Sequence, residues 1–172
     1  MTISRKAVAV IVLVALALGS LVTVTIAWST SRDTPQWLLT HTSGAAELQM
    51  QSRTQGTLQL NDPDEEFFLF TDRPERRTAA LSIAALINQW SDAFGDDPPN
   101  AALVHGDDGH PVAIVELTSP VRSDGNLSFN VRVTSTPAGP LPDLLSGGVH
   151  LFIDPPAARL TDFRECPIGG SC

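Results

Sequence analysis

Residues 7–28 set the first limit on what this chain can become. Arg5 and Lys6 precede 22 residues without a charge, Ala7 to Trp28, mostly Ala, Val, Leu and Ile. At ~1.5 Å per residue a helix of that length could cross the ~30 Å hydrocarbon layer. With the two basic residues held inside, everything from Ser29 onward is expected on the far side of the membrane. Thr25-Ile26-Ala27 at the end of the run also fits a cleavable secretory signal. The run exceeds the usual ~7–15 residue signal core, which favours a retained anchor. No cysteine lies near its end, so a lipid-modified terminus is not expected. The chain then divides into a signal-anchor or signal peptide (1–28), a polar tether (29–36), a β-rich exported domain (37–165) and a C-terminal loop (166–172).

Without the first 28 residues 144 remain, enough for one domain with a real core. That part holds nine arginines, no lysine and nineteen acids, a formal net charge of −10. Arginines scattered among so many carboxylates make no basic stripe, which excludes a nucleic-acid surface. The same field opposes anionic lipid faces. Both cysteines, Cys166 and Cys172, fall in Cys-Pro-Ile-Gly-Gly-Ser-Cys. In an oxidising compartment they read as a disulfide closing a small loop. Two thiols without a neighbouring His or further Cys make a poor zinc site.

Patterning then fixes the fold class. Ala46 to Gln51 alternates, with Leu48 and Met50 on one face, and Thr57-Leu58-Gln59-Leu60 follows as a second strand. Asn61-Asp62-Pro63-Asp64 is turn chemistry. Phe67-Phe68-Leu69-Phe70 is apolar at both phases and predicts a strand covered on both sides. Ile83, Ile87, Trp90 and Phe94 share one helical stripe, widened by Leu86 and Ala93, with Ser82 as cap and Gly95 as stop. Strands resume at Ala102–Val104, Val112–Leu117, Leu127–Thr134 and Val149–Ile153. Asp108-Gly109 and Asp124-Gly125 mark turns between them. The expectation is an α+β fold, mainly antiparallel β as a sandwich or twisted sheet, with one packed amphipathic helix after an N-terminal membrane segment.

The most distinctive text is Phe70-Thr71-Asp72-Arg73-Pro74-Glu75-Arg76, followed by Trp90, Phe94 and Pro98-Pro99-Asn100-Ala101. Over residues 57–133 this resembles a family of exported, mostly bacterial proteins without an established activity, which share a Phe-Thr-Asp-Arg-Pro-x-Arg element, a helix with spaced Trp and Phe, and a Pro-Pro-Asn-Ala element. The resemblance implies export and a shared β-rich fold, but no reaction. Arg77 adds a base to that pattern, and Ala79-Ala80 stand where it has a glycine.

Two uses of the element compete. As a clasp, Asp72 accepts backbone N–H groups and Arg76 pairs with Asp72 or Glu75, stapling the strand end to the helix entrance. As a site, Arg73 and Arg76 beside the Asn100 amide would hold a small anionic group. The clasp is favoured, because structural ion pairs orient arginines as readily as functional ones do. His105-Gly106-Asp107-Asp108-Gly109-His110 reads as a solvated hairpin tip rather than a metal loop, and Asp62 to Glu66 lacks the spacing of a calcium loop. Among His41, His105, His110 and His150 none stands in a nucleophile motif, and there is no Gly-x-Ser-x-Gly elbow or phosphate loop. Asn126-Leu127-Ser128 is a glycosylation sequon that matters only in a host that glycosylates exported proteins.

The sequence therefore points to a non-catalytic envelope domain, extracytoplasmic, anchored in the inner or cytoplasmic membrane through residues 7–28 or secreted. It would bind a protein or a small polar partner, with no metal and no cofactor. The alternative is an exported hydrolase with a site around Asp72, Arg73, Arg76 and Asn100. A pore-forming or surface-binding sandwich is the third reading.

Overall fold

The computed structural model describes residues 37–72, 76–106, 109–154, 160 and 163–166. The apolar run at 7–28, the tether, Arg73, Glu75 and Cys172 lie outside the described residues. Among the described residues no helix is long and apolar enough to cross a membrane.

Alternating side chains give a strand one face for water and one for a core. Nine segments use that pattern: β1 (Trp37–Met50), β2 (Gln55–Pro63), β3 (Glu66–Thr71), β4 (Thr78–Ser82), β5 (Asn100–His105), β6 (Pro111–Ser123), β7 (Asn126–Ser135), β8 (Leu144–Asp154) and β9 (Arg164–Cys166). The helix α1 (Ile83–Phe94) stands between β4 and β5. Every strand pairing is antiparallel.

Six of these strands close into a ring. β1 pairs with β8 along one edge and with β2 along the other, and the order β1-β2-β7-β6-β5-β8 returns to β1. Closure removes the free edges that a sandwich or open sheet would leave. The inward phase supplies the core: Leu58, Leu103, Leu117, Phe129 and Val115 are fully buried. Each such side chain contributes ~1.5–3 kcal/mol on burial.

A bulge at Ser43–Ala45 decides how the remaining strands attach. Before it Trp37, Leu39, His41 and Ser43 point inward; after it the phase shifts by one and Ala46 and Leu48 do. Past the bulge β1 pairs with β2, from Ser43↔Pro63 to Met50↔Gly56. Before it the same edge pairs with β3, from Trp37↔Thr71 to Thr40↔Phe68. β2 and β3 thus follow one another along β1, and β3 leaves the ring to carry β4 and β9 as a three-stranded flap. Asn61-Asp62-Pro63-Asp64, expected as a turn, is instead a kink in this continuing ribbon. Asp62 takes the left-handed conformation (φ 54°), and the Asp64 N–H donates to Thr42 O at 2.9 Å. The Arg122 guanidinium holds both Glu65 oxygens at 2.8 and 2.6 Å and ties the β6 arm to the kink. That pair keeps the Glu65 carboxyl below the usual carboxylate range.

Helix α1 begins and ends where its sequence directs. The Ser82 hydroxyl accepts the Ala85 N–H at 3.2 Å, and Gly95 (φ 46°) returns its N–H to Ser91 O at 2.9 Å. Ile83, Leu86, Ala93 and Phe94 are its buried residues, while Ile87 and Trp90 are partly buried. Leu86 and Ala93, which seemed to widen the stripe, lie at its centre. Trp90 packs edge-on to Phe94 at 4.5 Å and reaches Phe129 of β7 at 5.6 Å, which fastens the helix to the ring.

The seven strands expected from alternation are all present, with wider limits, and β4 and β9 are additional. β4 is Thr-Ala-Ala-Leu-Ser, whose alanines carry little strand preference of their own. Its pairing with β3 from Phe70↔Thr78 to Glu66↔Ser82 makes it a strand.

Candidate functional site

A shallow groove crosses the outer face of the sheet where five neighbouring strands, β3, β1, β8, β5 and β6, lie side by side. Its volume is about 330 Å³. Phe70, Leu38, Phe152, Ala102 and Ile114 stand along it, one from each strand. Register brings them together: Leu38 faces Phe70, and Ala102 lies between Phe152 and Ile114. Leu38 and Phe152 meet diagonally, since Thr40 is the register partner of Phe152, and diagonal neighbours at ~7–8 Å are within reach of aromatic side chains.

These strands are apolar at both phases. In β3, Phe67 and Leu69 are buried in the core, while Phe68 and Phe70 are 50% and 37% exposed. In β8, Leu151 and Ile153 are buried and Phe152 is 46% exposed. The expectation that Phe67–Phe70 is covered on both sides fails on its outer side, where the described residues supply no second layer. The reason is topological: α1 packs on β4 and β6 rather than over the outer face of β3.

One side of the groove is polar. Asn100 opens β5, with Asp154 opposite it on β8 and Glu116 opposite it on β6. Glu116 is bonded to Arg132, its own cross-strand partner on β7. Asp154 has no ion pair or hydrogen bond of its side chain among the described residues. The lining holds no hydroxyl, thiol or imidazole. The groove can therefore take up apolar groups and offer one carboxylate and one amide.

Of the residues singled out by sequence, Asn100 lines this groove, and Asp72 and Arg76 lie beyond the β3 strand that carries Phe70, on either side of residues 73–75, which lie outside the described residues. Thr71 and Arg77 are joined by two bonds, Thr71 N–H to Arg77 O at 2.9 Å and Arg77 N–H to Thr71 Oγ1 at 2.8 Å. Arg76 is left-handed (φ 49°) and donates its N–H to Asp72 O at 3.2 Å. The chain here passes from β3 to β4, which pair antiparallel, and Glu75, one of the two acids expected in the clasp, lies outside the described residues. The arginine that ties this region is Arg77, which pairs with Glu165 of β9 and lies 5.4 Å from the Trp37 ring. Arg73, the other half of the expected anion fork, lies outside the described residues, as does Cys172, the expected partner of Cys166.

Sequence reasoning missed Leu38, Ile114, Phe152 and Asp154. The signal was available in Leu151-Phe152-Ile153, which has no polar phase, but its meaning depends on which neighbours the sheet supplies. The histidines stand apart from the groove lining. His105 and His150 are engaged by Ser146 O (2.6 Å) and the Thr42 hydroxyl (3.2 Å). Among the described residues no three potential metal ligands come together.

No protein-family model matches this chain, and neither a curated protein nor a solved structure does.

Proposed function

We propose that this chain is a non-catalytic, extracytoplasmic binding domain, tethered by residues 7–28 or released by their removal, and that its outer groove holds a protein partner. The observation that carries this reading is the pair of partly exposed aromatic side chains in its lining, Phe70 and Phe152, with Phe68 exposed nearby on β3, on strands whose other face is core. Contiguous apolar surface rimmed by polar groups is the usual mark of a protein or ligand contact. A small polar ligand suits the site less well, since the groove is a shallow apolar trough across five strands and not an enclosed polar pocket.

Site-specific photo-crosslinking in intact cells of the native host tests this reading. A photoreactive residue at position 152 is expected to give discrete adducts in the envelope fraction. One at position 130, on the outer face of β7 away from the groove, is expected to give none. Phe70→Ser should remove the adducts. Equal labelling from both positions, or none from position 152, would overturn the proposal.

A further inference from the structure

Four carboxylates of this domain are held in ion pairs, and others stand on the surface away from the groove. Glu65, Glu66, Glu116 and Glu165 are each bonded to an arginine: Arg122, Arg164, Arg132 and Arg77 respectively. Asp154 is different in its place: it lines the apolar groove beside Asn100, on the middle one of the five strands, and among the described residues no cation reaches it. A carboxylate left beside an apolar trough offers a partner something the apolar lining cannot, namely a choice by charge.

We propose that the partner segment bound in the groove is an extended peptide with one basic side chain among apolar ones, its cation meeting Asp154 and Asn100. This rests on the binding reading above and adds the chemistry of the partner. Four inter-strand steps of ~4.8 Å make the groove about 19 Å long, which accommodates roughly six extended residues at ~3.3 Å each. Its volume of about 330 Å³ admits only a few side chains, so short apolar anchors enter and the rest of the peptide lies over them. The field of the domain agrees, since residues 29–172 carry a formal −10 and not one lysine. Such a field draws cationic segments toward the surface and repels a second copy of the same chain. Glu116, the other acid beside Asn100, is already neutralised by Arg132, so the site asks for one positive charge.

The test uses the full chain in nanodiscs and three acetylated, amidated peptides, Val-Leu-Arg-Leu-Val and its central Gln and Glu counterparts. Binding is read by calorimetry, with empty nanodiscs subtracted. The Arg peptide should bind about three- to tenfold more tightly than the Gln peptide, with the Glu peptide weakest. Asp154→Asn should abolish that preference, and added salt should shrink it. Phe152→Ser should weaken all three peptides alike. Equal binding of the Arg and Gln peptides, or an Arg preference that survives Asp154→Asn, overturns the cation inference and leaves the groove reading standing. If Phe152→Ser changes no peptide's binding and position 152 gives no crosslinks, both proposals fall. Sedimentation showing self-association broken by Phe152→Ser would assign the groove to a second copy and overturn the peptide proposal.

Discussion

His41 sits inside the domain on the inward phase of β1, 3% exposed and stacked on Phe67 at 4.1 Å. Its Nδ1 lies 3.3 Å from Glu66 O; a carbonyl can only accept, so Nδ1 carries the proton of the neutral ring. Nε2 is then a buried lone pair, without a hydrogen-bond partner among the described residues. Burial lowers the pKa to about 4 from 6.5, against the opposing pull of the Glu66 carbonyl and the Asp64 charge. The unfolded chain therefore takes up this proton near pH 6.5, while the native state resists it down to about pH 4. The stability that depends on a neutral His41 is complete above pH 6.5 and is lost as pH falls toward 4, in all by about 3 kcal/mol. Urea titrations across that interval should show the loss, and His41→Leu should flatten it. An unchanged slope in the variant would mean that other groups carry the acid sensitivity.

Helix α1 shows how far local chemistry goes at the scale of an element. Its limits were legible because the signals are carried by the residues themselves: Ser82 supplies the capping oxygen and Gly95 the left-handed stop. Ser82→Ala is expected to cost ~1 kcal/mol in chemical denaturation, and Ser82→Asp to retain most of the stability. A cost near zero for the alanine would mean that Ile83 N–H to Glu65 O, at 3.1 Å, is enough to hold the helix start. β4 shows the opposite case. Its two alanines gave no strand signal, and it exists through β3 on one side and β9 on the other. The kink at Asp62–Glu65 was read as a reversal because Asn, Asp and Pro are common to turns and to bends. What distinguishes them is that β2 and β3 share the edge of β1.

At the scale of the whole molecule the ring separates two kinds of phenylalanine. Phe129 is fully buried and meets Trp90, so Phe129→Ala removes packing between ring and helix together. It should cost ~3–5 kcal/mol and alter Trp fluorescence. Phe152 is as apolar but half in water, and Phe152→Ser should change stability by no more than about 0.5 kcal/mol. Thermal unfolding of the two variants side by side checks the contrast. A large cost at Phe152 would mean that the outer face is a layer of the fold and not a surface kept for a partner. Phe129 alternates with Ser128 and Asn130, whereas Phe152 stands between two apolar residues, where pattern gives no sign of which phase faces water.

Sequence by itself determined the antiparallel β-rich class, the helix at 83–94 with its caps, and the inward side chains of the alternating strands such as β7. Those features follow from a period of two or of 3.6 and from residues acting on their immediate neighbours. Only the tertiary structure decided that the strands close into a ring, that no other described element covers the outer face of β3 and β8, and that Asn100 stands opposite Asp154. Each of these is a pairing between segments far apart in the chain, and strand partners are chosen by the fit of whole faces, which no local stretch encodes.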